Sequence, residues 1–296
     1  AQLGVAIRPE ADTGCPPVHI TATGTIPGGG CSISGATSSQ FLSALLHIAP
    51  LTQVGVRLQI EPPLVSRPYL EMTIGLLSRF GVQVIEHSPL EYEVRPQTLQ
   101  PVELEVEGDA SAAAHVFALA AAAGGSVTIA NFPQPSLQGD AAFTTVLERF
   151  GTEVLATAAG TTVTGSGTLQ PLGEIDLEPI PDAAMSAIVL AALANGRSRF
   201  TGLSTLRHKE CDRIAALEQN LTACGVHVVS GLDWIEVDGD PQRLHGAPIE
   251  TFDDHRVAMS LAAIGTRTSG IVINDPECVG KTFPEFWQVF EACRAG

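Results

Sequence analysis

The stretch RHKECDRIAALEQN, residues 207–220, concentrates side chains that could bind an anion and move a proton. The whole chain has two lysines; one is Lys209 in this stretch, and the other is Lys281 in VGKTFPEF. Lys209 and Arg213 are four residues apart, so a helix containing both would place two positive charges on one face near its N-terminus. An anion between them would relieve that repulsion, whereas pairing of Arg213 with Glu210 would make an ordinary charged helix start. The spacing alone leaves both interpretations open.

Other polar side chains stand at the starts of predicted apolar helices. The sequence DDHR places His255 and Arg256 in a first turn, where an arginine favours a bidentate acid or phosphate. IPDAAM makes Asp182 an N-cap, and both plain capping and a general base beside cations are open. Helix N-termini carry free N–H groups and partial positive charge, so they are typical anion sites. Hydroxyl and amide groups that could act as caps or bind sugar hydroxyls and phosphate are offered by Ser38, Ser39, Gln40, Ser66 and Tyr69.

The elements that would position these residues form an internal repeat. Similar segments start at Ser38, Asp109, Asp182 and Asp253, with a period of roughly 70 residues. Each begins with a capping residue, continues as an apolar helix that we expect to be buried, and enters a β-branched strand. Three copies add a second, amphipathic helix ending at glycine, followed by two short strands. We therefore expect three whole copies of a helix–strand–helix–strand–strand unit and a fourth that is cut short.

Composition excludes several functional classes. A formal net charge of −16 opposes nucleic-acid binding, which depends on basic residues. No apolar run approaches the ~18 residues that cross a bilayer, so no membrane partner is expected. The six cysteines form no CxxC pair, which indicates a cytoplasmic protein, and we interpret Cys211 as a small residue rather than a nucleophile. No metal-ligand spacing or nucleotide-binding glycine loop is present, so we expect neither metal nor cofactor.

Eight ordered motifs make the chain resemble one known family. They are GATSSQFLSALL, LVSRPYLEM, EGDASAAA, LQGDAAF, IPDAAM, LRHKECDRIAAL, TFDDHRVAMS and INDPECVGKTFPEF. They occur in the order found in 5-enolpyruvylshikimate-3-phosphate synthases, and the similarity runs through essentially the whole chain. The resemblance implies an α/β (α+β), two-domain enolpyruvyl transferase fold of repeated βαβαββ units, an inside-out α/β barrel with an incomplete first domain. We expect the domains to span residues 1–107, on the shikimate 3-phosphate side, and 108–296, on the phosphoenolpyruvate side.

The resemblance also implies a reaction and a set of roles. Members of the family transfer the enolpyruvyl group of phosphoenolpyruvate to the 5-hydroxyl of shikimate 3-phosphate and release phosphate, in chorismate and aromatic amino acid biosynthesis. Asp182 would take the hydroxyl proton and Glu210 would handle the proton at the methylene carbon, with Lys209 and His255 as the other catalytic residues. Phosphoenolpyruvate would be bound by Arg213, Arg256 and Lys281. Shikimate 3-phosphate would be bound by Ser38, Ser39, Gln40, Ser66, Tyr69 and Thr205, together with Lys209 and Asp182.

The chain departs from the family pattern in two respects. The family's N-terminal Lys-Ser-x-x-x-Arg segment, its Asn-Gly-Thr loop and a further arginine for phosphoenolpyruvate have no counterpart, and Thr205 stands where asparagine is usual. We therefore expect the 296-residue chain alone to bind phosphoenolpyruvate weakly and to turn over slowly or not at all. We also expect a monomer that needs the missing segment and accepts glyphosate-type inhibitors. The alternatives are a UDP-N-acetylglucosamine enolpyruvyl transferase relative, and an inactive fragment that binds anions or a partner chain.

Overall fold

The computed structural model describes residues 2–11, 15–21, 23–132 and 134–295, which fall into two compact units. Unit 1 is Ala1–Glu105 and unit 2 is Val106–Gly296. This division lies two residues before the boundary expected from the sequence. The assignment of one substrate to each domain stays a prediction. Within the described ranges, no helix is both long enough and apolar enough to span a membrane.

Unit 1 contains one complete copy of the repeat. Strands β3 and β4 are parallel, and β6 and β5 continue the sheet antiparallel in the order β3-β4-β6-β5, while β1 and β2 form a separate hairpin. Apolar residues of α1 and α2 cover this sheet. The elements are β1 Ala6–Pro9, β2 Val18–Thr21, β3 Gly29–Ser34, α1 Gln40–Ile48, β4 Val56–Glu61, α2 Arg67–Arg79, β5 Ile85–Ser88 and β6 Glu91–Val94.

Unit 2 contains the other copies. Its sheets have the orders β7-β9-β8, β10-β11-β13-β12 and β14-β15, and β10-β11 and β14-β15 are parallel pairs. The first elements are α3 Ala110–Ala123, β7 Ser126–Ala130, α4 Phe143–Arg149, β8 Glu153–Thr157 and β9 Gly160–Thr164. The later ones are β10 Gly173–Asp176, α5 Ala184–Ala192, β11 Gly196–Thr201, α6 Arg213–Ala223, β12 His227–Ser230, β13 Ile235–Gly239, β14 Pro248–Ile249, α7 His255–Leu261, β15 Val272–Ile273 and α8 Phe286–Ala295.

The repeat has one strand more than the helix–strand–helix–strand–strand unit read from the sequence. Strands β3, β10 and β14 precede the first helix of their copies and pair parallel with the strand that follows it. Copies one and three therefore have the βαβαββ order that the resemblance implies. Parallel strands joined by a helix require such a crossover, which places the helix on one face of the sheet.

The first helices of the copies in unit 2 form its core. Helices α3, α5 and α7 pack against one another, and every residue of α5 is buried. Their alanine-rich faces let the helices approach closely and fill the interior without voids. The prediction that these helices are buried is confirmed.

The predicted glycines at the C-terminal ends of helices are confirmed, whereas the predicted N-terminal caps are confirmed only in part. Gly81, Gly151 and Gly225 have φ values of 77°, 88° and 88°, in the left-handed region expected after a helix. Asp109 caps α3 by accepting hydrogen bonds from the next backbone N–H groups. The prediction of Asp182 as an N-cap is wrong, because Ala183 holds that position and the carboxylate of Asp182 is engaged by cations instead.

Candidate active site

The segment RHKECDRIAALEQN, residues 207–220, leads into α6 and forms most of it. Asp212 is the N-cap and accepts a hydrogen bond from the Ala215 backbone N–H at 3.1 Å, so the helix begins at Arg213. Lys209 and Glu210 precede the helix and follow the 3₁₀ helix Ser204–His208. The expectation that Lys209 and Arg213 share one helical face is therefore wrong, because α6 begins after its cap Asp212 and Lys209 lies outside the helix.

Arg213 is the centre of a buried ion-pair cluster. Its side chain is 1% exposed, and it contacts three carboxylates. Its Nε and Nη2 donate to Asp254 at 2.8 and 3.3 Å, Nη1 donates to Asp182 at 3.1 Å, and Nη2 donates to Glu210 at 2.8 Å. A guanidinium has five N–H groups, so these four bonds leave one N–H, on Nη1. Arg213 thus holds the carboxylates of three separate segments together.

Asp182 is surrounded by cations. Besides Arg213, the carboxylate contacts Lys209 Nζ at 3.3 Å and Arg256 Nη2 at 3.4 Å. Burial favours the neutral acid and would raise the pKa of Asp182, but Arg256, Lys209 and Arg213 outweigh burial and lower this pKa to about 2. Asp182 is therefore a carboxylate at neutral pH, with little basicity while its cationic neighbours stay paired to it.

Glu210 and Lys281 form the more exposed side of the cluster. Lys281 Nζ lies 2.5 Å from Glu210 Oε1, and the exposed fractions of the two side chains are 55% and 27%. Burial would raise the pKa of Glu210, but the hydrogen bond from Lys281 and the charge of Arg213 lower it to about 2. Both lysines of the chain are consequently paired with the two carboxylates that the resemblance assigns to proton transfer.

Asp254 is the residue of this cluster that the sequence analysis missed. Its side chain is fully buried, it receives two hydrogen bonds from Arg213, and it caps α7 by accepting from the Arg256 N–H at 2.9 Å. The motif DDHR offered two aspartates, and the sequence-predicted helix start was Asp253. The signal available in the sequence was the position directly before the helical residues His255 and Arg256, which is where a cap must stand.

A strained turn leads into α7. The Asp254 N–H donates to the Thr251 carbonyl at 3.0 Å, and the two residues between them, Phe252 and Asp253, both have a φ of 55°. Two successive positive φ values are typical of a type I′ turn, where asparagine and glycine are usual. The turn sets Asp254 at the helix start and so directs its carboxylate to Arg213.

His255 and Cys211 border the cluster without joining its ion pairs closely. His255 is buried, its Nδ1 is 3.8 Å from Asp254 Oδ1, and burial and the charge of Arg256 lower its pKa, which keeps the imidazole neutral. The Cys211 thiol lies 3.6 Å from Asp254 Oδ2, and burial together with that carboxylate raises the pKa of the thiol to about 12. This agrees with the interpretation that Cys211 is not a nucleophile.

The sequence-predicted residues of unit 1 gather at one edge of its sheet. The loop into α1 follows β3 and the loop into α2 follows β4, so both leave the carboxyl ends of two parallel strands. The loops are joined directly, because the Val65 N–H donates to the Gly35 carbonyl at 3.2 Å. A side chain at Gly35 would approach the Pro63 carbonyl to 2.8 Å, so glycine is needed for this contact.

These loops present neutral polar groups. Ser38 Oγ accepts from the Gln40 N–H at 3.2 Å, and Ser39, at the start of α1, is buried and forms no side-chain cap. Ser66 starts α2 with a φ of 53°, and its carbonyl accepts from the Tyr69 N–H at 3.2 Å. The structure therefore brings the five candidate residues of unit 1 to neighbouring helix starts.

Thr205 is buried in the 3₁₀ helix that precedes Lys209. Across the residues that the structure describes, no group of three or more His, Cys, Asp or Glu side chains could hold a metal ion. The cluster around Arg213 is instead made of alternating cations and carboxylates.

Known proteins are similar to this chain over almost its whole length. The family model described as EPSP synthase (3-phosphoshikimate 1-carboxyvinyltransferase) matches residues 1–290. The 3-phosphoshikimate 1-carboxyvinyltransferase of Shewanella sediminis is 38% identical over 98% of this chain and 68% of its own length, and that of Shewanella loihica is 39% identical over the same shares.

Solved structures share the fold. An EPSP synthase from Acinetobacter baumannii superposes with a TM-score of 0.77 at 24% identity, covering 99% of this chain and 68% of the other. The enolpyruvyl transferase NikO from Streptomyces tendae gives a TM-score of 0.73 at 18% identity, covering 99% and 69%. The predicted enolpyruvyl transferase fold is thereby confirmed. The family match and the curated relatives together show that this chain belongs to the 3-phosphoshikimate 1-carboxyvinyltransferase (EPSP synthase) family.

Proposed function

We propose that the cluster around Arg213 is the site at which this protein binds phosphoenolpyruvate and moves protons during its reaction. The reaction is transfer of the enolpyruvyl group from phosphoenolpyruvate to shikimate 3-phosphate, with release of phosphate, in aromatic amino acid biosynthesis. The observation that carries the proposal is the gathering of four cations, including both lysines of the chain, around Asp182, Glu210 and Asp254. Four positive and three negative charges leave a net positive charge for an anionic substrate.

The cations divide the work according to the contacts they already have. Arg213 has one N–H left, so it organises the carboxylates and offers a single further bond. Arg256 and Lys209 lie 3.4 and 3.3 Å from Asp182, so their ion pairs with it are long. The side chain of Lys281 is more than half exposed. Arg256 and Lys281 are therefore the residues best able to bind the carboxylate and phosphate of phosphoenolpyruvate, with Arg256 suited to a bidentate contact.

Substrate binding prepares the proton transfers by exchanging partners. When Arg256, Lys209 and Lys281 turn to the substrate's anionic groups, Asp182 and Glu210 lose stabilisation of their charged forms and their pKa values rise from about 2. Asp182 then becomes basic enough to accept the proton of the 5-hydroxyl, and Glu210 becomes able to carry the proton for the methylene carbon. His255 stays neutral beside them and contributes hydrogen bonding rather than charge.

The neutral helix starts of unit 1 fit the other substrate. Ser38, Ser39, Gln40 and Ser66 offer hydroxyl, amide and backbone N–H donors at the starts of α1 and α2, which suit a phosphate and ring hydroxyls. Tyr69 lies one turn into α2. Unit 1 would thus hold shikimate 3-phosphate.

The test measures phosphoenolpyruvate binding by calorimetry for the unchanged chain and for Arg256→Gln and Lys281→Gln. Loss of a hydrogen-bonded charge costs about 2–5 kcal/mol, so Arg256→Gln should weaken binding about 30-fold or more. Arg197→Gln is the matched control, because it removes the same charge from an exposed arginine on β11 that pairs with Glu236. An equal loss from the control would mean that overall charge, and not this cluster, binds the substrate.

Acceptor choice and turnover form the second half of the test. Shikimate 3-phosphate, and not UDP-N-acetylglucosamine, should bind and should cause release of phosphate from phosphoenolpyruvate, at the low rate expected for this 296-residue chain. Binding without any phosphate release would support the alternative of an anion-binding fragment. In the same proposal, glyphosate-type inhibitors bind the cations of this cluster and compete with phosphoenolpyruvate. The protein is a monomer, and its cysteines, which form no CxxC pair, suit the cytoplasm.

A further inference from the structure

A buried polar contact joins the three central helices of unit 2. His115 on α3, Ser186 on α5 and Ser260 on α7 are all 0% exposed. His115 Nδ1 lies 2.9 Å from Ser186 Oγ and 3.3 Å from Ser260 Oγ, and the two hydroxyl oxygens are 3.4 Å apart. Each of the three helices therefore supplies one polar side chain to a single point in an otherwise apolar core.

This histidine is a poor choice for stability alone. Its Nε2 is buried without a hydrogen-bond partner, and an unsatisfied buried polar atom weakens folding. Burial, and then the charges of Arg256 and Arg213, hold the pKa of His115 well below its usual value, so the ring is neutral. An aromatic hydrocarbon side chain would fill similar space without leaving a polar atom unpaired. The benefit of the histidine must lie in its Nδ1 contacts.

Those contacts stand directly beneath the proposed site. Ser260 follows Arg256 by four residues, about one turn of α7, and Ser186 follows Asp182, which lies two residues before α5, by the same number. Asp182 and Arg256 are the pair that spans the beginnings of α5 and α7, at 3.4 Å. A shift of one helix along the other would change this distance first, because both residues lie at the ends of the helices that His115 joins.

We propose that His115 is a positioning residue: by holding Ser186 and Ser260 through one nitrogen, it fixes α5 against α7 and so sets the geometry of Asp182 and Arg256. This inference rests on the proposed function, since it gives His115 a role through residues of the phosphoenolpyruvate site. His115 itself touches no substrate. It acts by keeping α5 and α7 in a fixed register along each other.

The test compares substitutions that keep or remove the group at the Nδ1 position. His115→Asn retains a polar atom near Nδ1, whereas His115→Gln places it near Nε2 and His115→Phe removes it. We expect phosphoenolpyruvate binding, measured by calorimetry, to stay within about twofold for His115→Asn and to weaken about tenfold for His115→Phe and His115→Gln. Ser260→Ala, which removes one contact with little change in volume, should give a smaller loss and keeps the test valid if His115→Phe does not fold.

A double-mutant cycle separates positioning from general damage to the core. If His115 acts through Arg256, His115→Phe should weaken binding in the unchanged protein and have no further effect in the Arg256→Gln background. Phe150→Leu, a substitution at another fully buried residue of unit 2, is the control: it should lower the thermal unfolding temperature and leave binding unchanged.

The outcomes distinguish the two proposals. Normal binding by His115→Phe, or equal losses for all three His115 substitutions, would overturn the positioning role while the effect of Arg256→Gln kept the proposed function intact. Losses from His115→Phe and Arg256→Gln that simply multiply would also overturn it. If Arg256→Gln itself had no effect on binding, the proposed function would fail and the role of His115 would fall with it.

Discussion

In unit 1 the starts of α1 and α2 carry serines and a glutamine, whereas in unit 2 the starts of α6 and α7 and the residues just before them carry one lysine, arginines and carboxylates. Each of these helices follows a strand of a parallel pair: α1 and α2 follow the paired strands β3 and β4, α6 follows β11 of the pair β10-β11, and α7 follows β14 of the pair β14-β15. The repeat provides the free N–H groups of helix starts, and the side chains added there decide the electrostatics.

The two regions also differ in how deeply their charges are buried. Arg67 at the start of α2 pairs with Glu71 and Glu86, and the side chains of all three are 36–57% exposed. Arg213 at the start of α6 is 1% exposed and pairs with a fully buried Asp254. Equivalent places in the repeat therefore hold an ion pair that water screens and one that water does not reach, and these should respond differently to mutation, pH and ligand.

The largest difference is expected when each ion pair is broken. Asp254→Ala leaves the buried Arg213 without its bidentate partner, and the free energy of unfolding should fall by about 3–5 kcal/mol. Glu71→Ala, in unit 1, should cost about 0–1 kcal/mol because its pair is exposed. Urea denaturation of both variants measures the contrast, and losses of equal size would show that burial of the cluster contributes nothing.

The second largest effect is expected at acid pH, where the ion-pair cluster of unit 2 should lose stability. Asp182 and Glu210 have folded pKa values of about 2, below their ordinary values, so they stabilise the fold fully above about pH 5 and lose this effect as pH falls towards 2. For Asp182 the contribution is on the order of 2 kcal/mol. Urea midpoints measured from pH 6 to pH 3 should decline less steeply for Asp182→Asn than for the unchanged chain. An identical decline would place the acid sensitivity elsewhere.

The neutral loops of unit 1 should give a smaller effect that is specific to one ligand. Ser38→Ala removes a hydroxyl proposed to bind shikimate 3-phosphate. The binding free energy of this substrate should weaken by about 1 kcal/mol, the usual contribution of one neutral hydrogen bond. Affinity for phosphoenolpyruvate should not change. Ser43→Ala is the matched control on the same helix, because Ser43 bonds to Thr73 between α1 and α2. Calorimetry with each substrate decides, and a loss for both substrates would contradict the division of roles.

The smallest expected change is a gain in stability at the turn before α7. Asp253 has a φ of 55°, which costs a non-glycine residue about 1–2 kcal/mol, partly offset by the greater freedom of glycine when unfolded. Asp253→Gly should therefore raise the free energy of unfolding by about 0.5–1 kcal/mol in urea. At Gly30, where no positive φ is present, the reverse change Gly30→Ala tests whether relief of strain is the cause. A loss of stability in Asp253→Gly would show that its carboxylate matters more than its backbone.

Local patterns were sufficient to predict the elements. The apolar helices, the β-branched strands after them and the glycines that end helices each follow from a few neighbouring residues, and the structure has them at those places. Motif order was sufficient to identify the family, and with it the residues that gather around Arg213 except Asp254. The leading strands β3, β10 and β14 were missed because their segments GGCSIS, GEID and PI are short, polar or glycine-containing and carry little strand signal.

The details of the cluster could not be predicted because its contacts join distant segments. Asp254 lies 41 residues from Arg213, and nothing in DDHR indicates which aspartate is buried. Asp182 had every local feature of a capping residue, yet three cations from other segments determine where its carboxylate points. Lys209 and Arg213 were placed in one helix for a different, local reason: Asp212, within the same motif, was overlooked as the cap of α6.

One consequence of the internal ion pairs concerns which solutes the site will ignore. Chloride or acetate would have to separate an arginine or lysine from a carboxylate already in contact with it, and would gain a single charge–charge attraction in return. A ligand carrying several negative charges can replace several such partners at once. The protein's own acidic side chains thus make the site select multiply charged anions over singly charged ones such as chloride.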